Sequence, residues 1–442
     1  MTIRMDEGAA ELLDTLHRAG YAAYVVGGCV RDSLLGLTPH DWDLCTSALP
    51  QQGMELFGAE KCIPTGLQHG TVTVKQGGGL YEITTFRTEG AYTDGRHPDE
   101  VHFVPDVRED LARRDFTINA MAYNEKEGLV DPFGGQADLQ SGVLRAVGVP
   151  HQRFTEDALR ILRLYRFAAR FGFAIDPPTA QAAQELCAHL DCVSVERIEE
   201  ELAKLLSAPA PAAYLDEKIL FVILPELSSE ALAAAKPVVD ACPAGERALP
   251  VRLAALLLSL GEDGTRRTLR RLRCSNACIE ETAVLVREVV SGVPGAFSSD
   301  TNRAIPSPAL LPVATGYHPS RRSSEKLPAR PPVSLNMYTR KLLGQYGLKT
   351  VQRLAALGTA LQPEHAADFA ALSELAEQLD ADGVCCRVSQ LAVNGRDLMA
   401  AGVPAGPGIR KVLEALLDGV IREEYPNERQ ALLAAVQQLA AS

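Results

Sequence analysis

The chain has 442 residues, 46% of them hydrophobic and 23% charged, and a formal net charge of −12. This length exceeds a single compact core and implies several domains, and the mix of residues is that of a globular rather than a disordered chain. The acidic balance excludes a broad, non-specific nucleic-acid binder, while a local basic track stays open because binding follows where the charges sit.

The opening MTIRMDEGAAELLDTLHRAG has the apolar spacing of an amphipathic helix and carries acids, unlike a signal peptide. Next comes YVVGGCVRD at 24–32, which reads as an apolar strand, a Gly-Gly turn and a helix start carrying Arg31. Gly28 lets a phosphate approach the backbone closely, a helix N-terminus adds partial positive charge, and Arg31 adds a full one. An ordinary strand–turn–helix corner has the same outline. HDWDL at 40–44 then sets Asp41 and Asp43 two residues apart. On a strand they share a face, where two carboxylates repel unless a cation sits between them or a polar edge solvates them. Mg²⁺ held by carboxylates and substrate phosphates fits. Surface loops carry such pairs too, and the nearby Gly-Gly-Arg corner is what gives this one weight. His40-Asp41 also matches the HD dipeptide of metal phosphohydrolases, but the remaining histidines show no fitting ligand arrangement.

Segments 24–26, 70–75, 80–87 and 101–104 are rich in β-branched and aromatic residues and predict strands. Within 80–87, Glu82 shares a face with Leu80, Thr84 and Phe86 by alternation. It is either a third acid beside the aspartates or part of a solvated outer face. LARRDFTINAMAYN at 111–124 reads as Arg113-Arg114-Asp115 leading into a helix-like run. Asp115 is then either a helix N-cap or, with Arg114, a ligand for phosphate and ribose hydroxyls.

After about residue 150 the strand signals stop and Ala, Leu, Glu and Arg recur at helical spacing. RFTEDALRILRLYRFAARFGF at 153–173 predicts one helix. At about 100° per residue, Arg160, Arg163, Arg166 and Arg170 fall within an arc of roughly 120°. A helix this apolar is buried, so its arginines need partners. These are either a polyphosphate and a base edge or facing acids such as Glu196, Glu199 or Glu200. Asp157 and Arg160, three apart, offer one acceptor-and-donor face of the kind that pairs with a base. Arg266, Arg267, Arg270, Arg271 and Arg273 form a second basic cluster, an RNA track or a solvated face. From about 291 to 333 the chain is rich in Pro, Ser, Gly and Arg without periodicity and reads as a linker or insertion. In the last unit Gly406-Pro407-Gly408 opens a helix, where free amides with Arg410 and Lys411 would take an RNA phosphate or simply turn a corner.

Ten cysteines are scattered without CxxC pairs or zinc-ligand spacing, which points to reduced thiols in a cytoplasmic protein. No apolar run is long enough to span a membrane, and no internal repeat is present.

GGCVRD, HDWDL, EITTFRTE, RRDFTINAMAYN, RAVGVPHQRFTEDALRILRLYRFAARFGF and VERIEEELAKLL follow one another in order over roughly 20–210. Together they resemble class II tRNA nucleotidyltransferases, the bacterial CCA-adding enzymes, within the wider class that includes bacterial poly(A) polymerases. The tail string VNGRDL…GPGIRKVLEALL resembles the C-terminal part of the Gram-positive type. The resemblance implies an α+β chain. A polymerase β-like nucleotidyltransferase head (1–145) would lead into an all-helical neck (146–207), body (208–290) and tRNA-binding tail (336–442), with 291–335 as insertion or linker. It implies that Asp41 and Asp43 bind the catalytic Mg²⁺ ions with Glu82 as third acid. It places Gly28 and Arg31 on the triphosphate and Arg114 and Asp115 against the nucleotide. Asp157 and Arg160 would read the edge of the incoming C or A, with Arg163 and Arg166 extending the site. TEGAYTDGRHPDE at 88–100 would be the loop that helps switch from C to A.

The implied partners are the 3′ end and acceptor/T arm of tRNA, CTP and ATP, with no membrane involved. His40, where a small or polar residue is expected, and the long Pro-rich 291–333 stretch depart from the family pattern. The rival readings are an A-adding enzyme, a poly(A) polymerase, which should end in a basic tail, and a non-enzymatic RNA-binding protein on the same fold, which should have lost the Asp pair.

Overall fold

Strand β1 (Ala23–Val26) is buried along its whole length, as its unbroken apolar sequence requires of a strand covered on both faces. It lies inside a seven-stranded mixed sheet of the computed structural model, which describes residues 3–90, 101–290 and 334–441. The other strands are β2 (Leu44–Thr46), β3 (Cys62–Gly66), β4 (Thr71–Gln76), β5 (Gly79–Thr85), β8 (Ala122–Asn124) and β9 (Gly128–Val130), in the order β3-β4-β5-β2-β1-β8-β9. Only β2 and β5 pair in parallel, with Leu44 opposite Ile83; every other neighbour is antiparallel. Helix α1 (Glu7–Arg18) is capped by Asp6, whose carboxylate accepts from the amides of Gly8 and Ala9, and it buries Leu12, Leu13 and Leu16. Helix α2 (Gly28–Leu34) follows β1, α3 (Pro50–Phe57) follows β2, and α4 (Val107–Ala112) buries Val107 and Leu111 in a cluster with Tyr24, Val26, Cys45, Phe86 and Ala122.

Two expectations for this region change. The expected strand 80–87 is two strands. At Phe86 the backbone leaves the sheet, donating to Thr46 O at 2.7 Å and accepting from Val104 N at 3.0 Å, and β6 (Arg87–Glu89) pairs instead with β7 (Val101–Phe103). The helix-like run after Asp115 is a single 3₁₀ turn (Thr117–Asn119) and then strand β8. Every residue from 115 to 124 is buried, so an amphipathic helix has no wet face to offer. The slot beside β1, with Val25 opposite Tyr123, takes the segment as a strand.

Beyond α5 (Gly135–Ser141) and a short parallel pair, β10 (Val143–Leu144) with β11 (Ala174–Ile175), the chain is helical. The helix expected at 153–173 is broken into α6 (Pro150–Glu156) and α7 (Leu159–Phe171). Asp157 is extended at φ −145°, and its carboxylate accepts from Leu159 N at 3.0 Å, ending one helix and starting the next. After α8 (Pro177–Glu185), helix α9 (Val195–Leu206) packs along α7, and α10 (Glu217–Ile223) follows.

The chain divides into two compact units, Met1–Pro225 and Glu226–Ser442, a boundary that falls inside the body expected at 208–290. In the second, α11 (Ser229–Ala241), α12 (Leu249–Leu257), α13 (Gly261–Arg271), α14 (Asn276–Val290), α15 (Leu335–Tyr346), α16 (Leu348–Leu361) and α17 (Ala366–Ala381) form a helical assembly around α12, whose residues from Pro250 to Leu257 are all buried. The helices α18 (Gly395–Ala400), α19 (Gly408–Ile421) and α20 (Arg429–Ala441) enclose a separate cluster including Val393, Leu398, Leu416, Val420, Leu432 and Val436. Among the described residues no helix is long and apolar enough to cross a membrane. Most of 88–100 and of the 291–335 insertion lies outside the described residues.

Candidate active site

The Gly-Gly turn is built around one backbone conformation. Gly27 sits at φ 77°, ψ −121°, where an L side chain is strained, and its amide donates to Met121 O at 3.0 Å. A Cβ there would also stand 2.8 Å from Arg114 Nη1, so the bare α-carbon lets the Arg114 guanidinium lie over the turn. Gly28 then begins α2. Arg114 is anchored by Asp110, 3.4 Å from its Nη2, while its buried Nε has no hydrogen-bond partner among the described residues. Asp110 is fully buried. Burial alone would raise its carboxyl, but Arg113 and Arg114 hold it below the ordinary range.

Asp41 and Asp43 lie in the irregular stretch just before β2, with Asp43 O accepting from Val26 N at 2.9 Å. The β2–β5 register places Asp43 level with Glu82, since the next pair is Leu44 with Ile83. Glu82 is exposed on the face it shares with Leu80, while Tyr81 and Ile83 are buried behind it, as alternation requires. Asp43 opens to solvent, yet protein atoms crowd its carboxyl and raise it to about 6, with further upward pushes from the charges of Asp41 and Glu82 and a downward pull from Arg114. These three carboxylates and Arg114 thus share one neighbourhood. Among the described residues no three such side chains are drawn together into a ready-made metal cage. The acids suit a hydrated divalent cation, which takes one or two carboxylates and completes its shell with water and substrate phosphate.

A second network runs behind the turn. Arg31 is 4% exposed, and its Nε donates to Asp32 at 2.8 Å and its Nη1 to Asn119 Oδ1 at 2.5 Å. Its guanidinium also faces the rings of Phe167 and Phe171 at 5.2 and 4.9 Å. Asp115 does not cap a helix: Oδ1 accepts from Phe116 N and from Asn119 Nδ2, and Oδ2 accepts from Arg163 Nε and Nη2 at 2.9 and 2.6 Å. Burial would raise the Asp115 carboxyl, but Arg163 and Asn119 hold it well below the ordinary range.

The arginine row of α7 finds facing acids, one of the two kinds of partner expected of it. Arg160 Nη1 meets Glu156 at 2.8 Å and Nη2 donates to Arg113 O; Arg170 reaches Asp32 at 3.2 Å. Arg163 and Arg166 converge on Glu201 of α9, which is 5% exposed, with Arg166 Nε 2.5 Å from its carboxylate as an ion pair. Of the candidate acids Glu196, Glu199 and Glu200, the last also feels the charges of Arg166 and Arg163, while Glu201 is the one buried between them. The apolar stripe Ile198, Leu202, Leu205 sets the phase of α9, and Glu201 lies within that stripe, which is the signal that finds it. Asp157 Oδ2 accepts from Arg197 Nη2 at 2.8 Å. Its link to Arg160 is through the backbone, Arg160 N donating to Asp157 O at 3.0 Å, and both border the break between α6 and α7. Asn119, Asp32, Asp110 and Arg197 are further members of the site that residue-type reasoning passed over. Asn119, Asp32 and Arg197 each also have a partner distant in sequence, Arg31, Arg170 and Asp157 respectively, that spacing does not show.

In the second unit, Arg266 pairs with Glu262 and Glu280, and Arg271 with Glu226, so part of the basic cluster is spent on acids of the same unit. Arg410 is exposed in the first turn of α19 beside Glu414.

Family profiles match three parts of the chain: the poly(A) polymerase head domain at 23–145, a probable RNA and SrmB-binding site of polymerase A at 172–230, and domain 2 of tRNA nucleotidyltransferase at 335–436. The chain is 35% identical to a CCA-adding enzyme of Lactiplantibacillus plantarum over 97% of its own length and 95% of the relative's. It is 34% identical to a CCA-adding enzyme of Geobacillus kaustophilus over 97% and 96%. Among solved structures, the Bacillus stearothermophilus CCA-adding enzyme in complex with CTP is 30% identical, with a TM-score of 0.78 over 99% of this chain and 98% of that one.

Proposed function

The chain belongs to the CCA-adding enzymes, nucleotidyltransferases with a polymerase β-like head and helical remainder, and from that premise we propose that it adds C, C and A to the 3′ end of tRNA from CTP and ATP. The observation that carries this reading is the neighbourhood of Asp41, Asp43 and Glu82 beside Arg114 and the Gly27–Gly28 turn, with the arginine-rich α7 in the same unit. Acids for a cation, a guanidinium for phosphate and a row of donors for a base are the parts that template-free nucleotidyl transfer needs.

The 3′-oxygen of the tRNA attacks the α-phosphorus of the bound nucleotide. The bond to the bridging oxygen breaks, and pyrophosphate leaves. Asp41 and Asp43 would hold the divalent cations, Mg²⁺ in this reading, with Glu82 as a third acid; when bound, these lower the pKa of the 3′-hydroxyl and neutralise developing phosphate charge. The Gly28 backbone and Arg114, whose Nε lacks a hydrogen-bond partner among the described residues, bind the triphosphate, with Arg31 as the cation behind them. Asp115 faces the ribose. Asp157 and Arg160 pair with the Watson–Crick edge of the base, and Arg163 and Arg166, fixed by Asp115 and Glu201, keep α7 in register beneath it. Residues 1–145 serve as head, 146–207 as neck, 208–290 as body and 336–442 as tail, the last binding the acceptor/T arm, and the enzyme works in the cytoplasm.

Asp41→Ala tests this reading. It should abolish nucleotide incorporation and pyrophosphate release while tRNA affinity, measured by filter binding, changes less than about threefold, because the cation site supplies the chemistry rather than the grip. Residual incorporation with weakened tRNA binding would contradict the assignment.

A further inference from the structure

Between the phosphate side and the arginine row stands one neutral side chain whose two ends are both used. Asn119 is 7% exposed on the Thr117–Asn119 turn. Its Oδ1 accepts from Arg31 Nη1 at 2.5 Å, and its Nδ2 donates to Asp115 Oδ1 at 3.0 Å. A carboxamide is the side chain of this size that carries an acceptor at one tip and a donor at the other. An Asp here would keep the bond to Arg31 and set two carboxylates against each other. A Leu would break both bonds. Asp115 also accepts from Phe116 N and twice from Arg163, so the Asn119 donor occupies the last of about four acceptor positions on that carboxylate. Of these donors it is the only neutral side chain, and hence the one that most readily gives way to another hydroxyl.

We propose that Asn119 is the positioning residue for sugar selection: it holds Asp115 in the orientation that receives the ribose 2′-hydroxyl and ties that orientation to Arg31 behind the triphosphate. The proposal rests on the assignment of Asp115 to the ribose. The carboxamide lets Asp115 be fully satisfied before the nucleotide arrives and yields one acceptor position when it does. A deoxynucleotide, lacking the hydroxyl, leaves the Asn119–Asp115 bond closed. Discrimination is then the difference between these two states.

The test compares incorporation of CTP and dCTP onto tRNA lacking its terminal CCA, in the wild type, Asn119→Asp, Asn119→Ala and Asp115→Asn, together with thermal unfolding of each. The expected result for Asn119→Asp is a KM for CTP raised about tenfold, a CTP-to-dCTP ratio of kcat/KM lowered about tenfold and an unchanged KM for tRNA, because the change acts on nucleotide positioning alone. Asn119→Ala, which also removes the carboxamide acceptor of Arg31, should lower the ratio at least as far. If Asp115→Asn loses discrimination while both Asn119 variants keep it, the proposal is overturned and the ribose assignment stands. If Asp115→Asn keeps discrimination, the ribose assignment falls and the proposal falls with it. A drop in thermal midpoint that tracks activity, with the ratio unchanged, marks Asn119 as a structural residue and also overturns the proposal.

Discussion

Asp43 carries the clearest residue-scale consequence. Its carboxyl stands at about 6 because the protein atoms crowding it, then Asp41, then Glu82 disfavour the charged form. Its folded value lies above its unfolded value of about 3.8, so the folded protein holds a proton there that the unfolded chain has released. Ionised Asp43 therefore opposes folding above pH 6, and this penalty fades as pH falls from 6 towards 4. A divalent cation reverses that balance by giving the carboxylate a partner, so cation affinity should weaken as pH falls through 6. In the metal-free protein, a carboxyl titration followed by carbon NMR should place Asp43 near 6, and Glu82→Gln should move it down. A wild-type midpoint near 4, unmoved by Glu82→Gln, would show that the acids do not share a neighbourhood. The Asp-x-Asp spacing was legible in the sequence because chemistry demands those residue types. Its setting was not: the pair lies in irregular chain before β2, and its closeness to Glu82 depends on a parallel pairing that local spacing does not encode.

At the scale of elements, the α7–α9 contact holds the arginine row. Glu201 is buried between Arg163 and Arg166, and removing one member of a buried charge group leaves the others uncompensated. Glu201→Ala should cost about 3 kcal/mol, or roughly 6–12 °C in the unfolding midpoint of a unit this size. Calorimetry reads it, and a shift under 2 °C would mean that water already solvates the arginines. The presence of an arginine-bearing buried helix was legible from its apolar and basic periods. Its break at Asp157 was not, because an Asp–Ala step carries no strong breaker, and the break depends on the Asp157 carboxylate reaching Leu159 N and Arg197. Strand β8 was hidden for a related reason: a short, fully buried apolar run looks the same in a helix or in a strand, and only the vacant place beside β1 decides.

At the scale of the whole molecule, an α+β head followed by helices was legible from the shift in composition near residue 150, and the ordered motifs fixed the family. The division at Pro225 was not, since the helical pattern runs through it unbroken. The net charge of −12 fits an enzyme that grips one RNA through local patches rather than a general coat of positive charge. In the proposed reaction protein side chains choose C, C and then A, and the test is the length and sequence of the product when tRNA ending at the discriminator base is incubated with CTP alone, ATP alone or both. A complete three-residue extension reading CCA, formed only when both nucleotides are present, is the expected result. A long A tail, or addition of A without prior C, would contradict it.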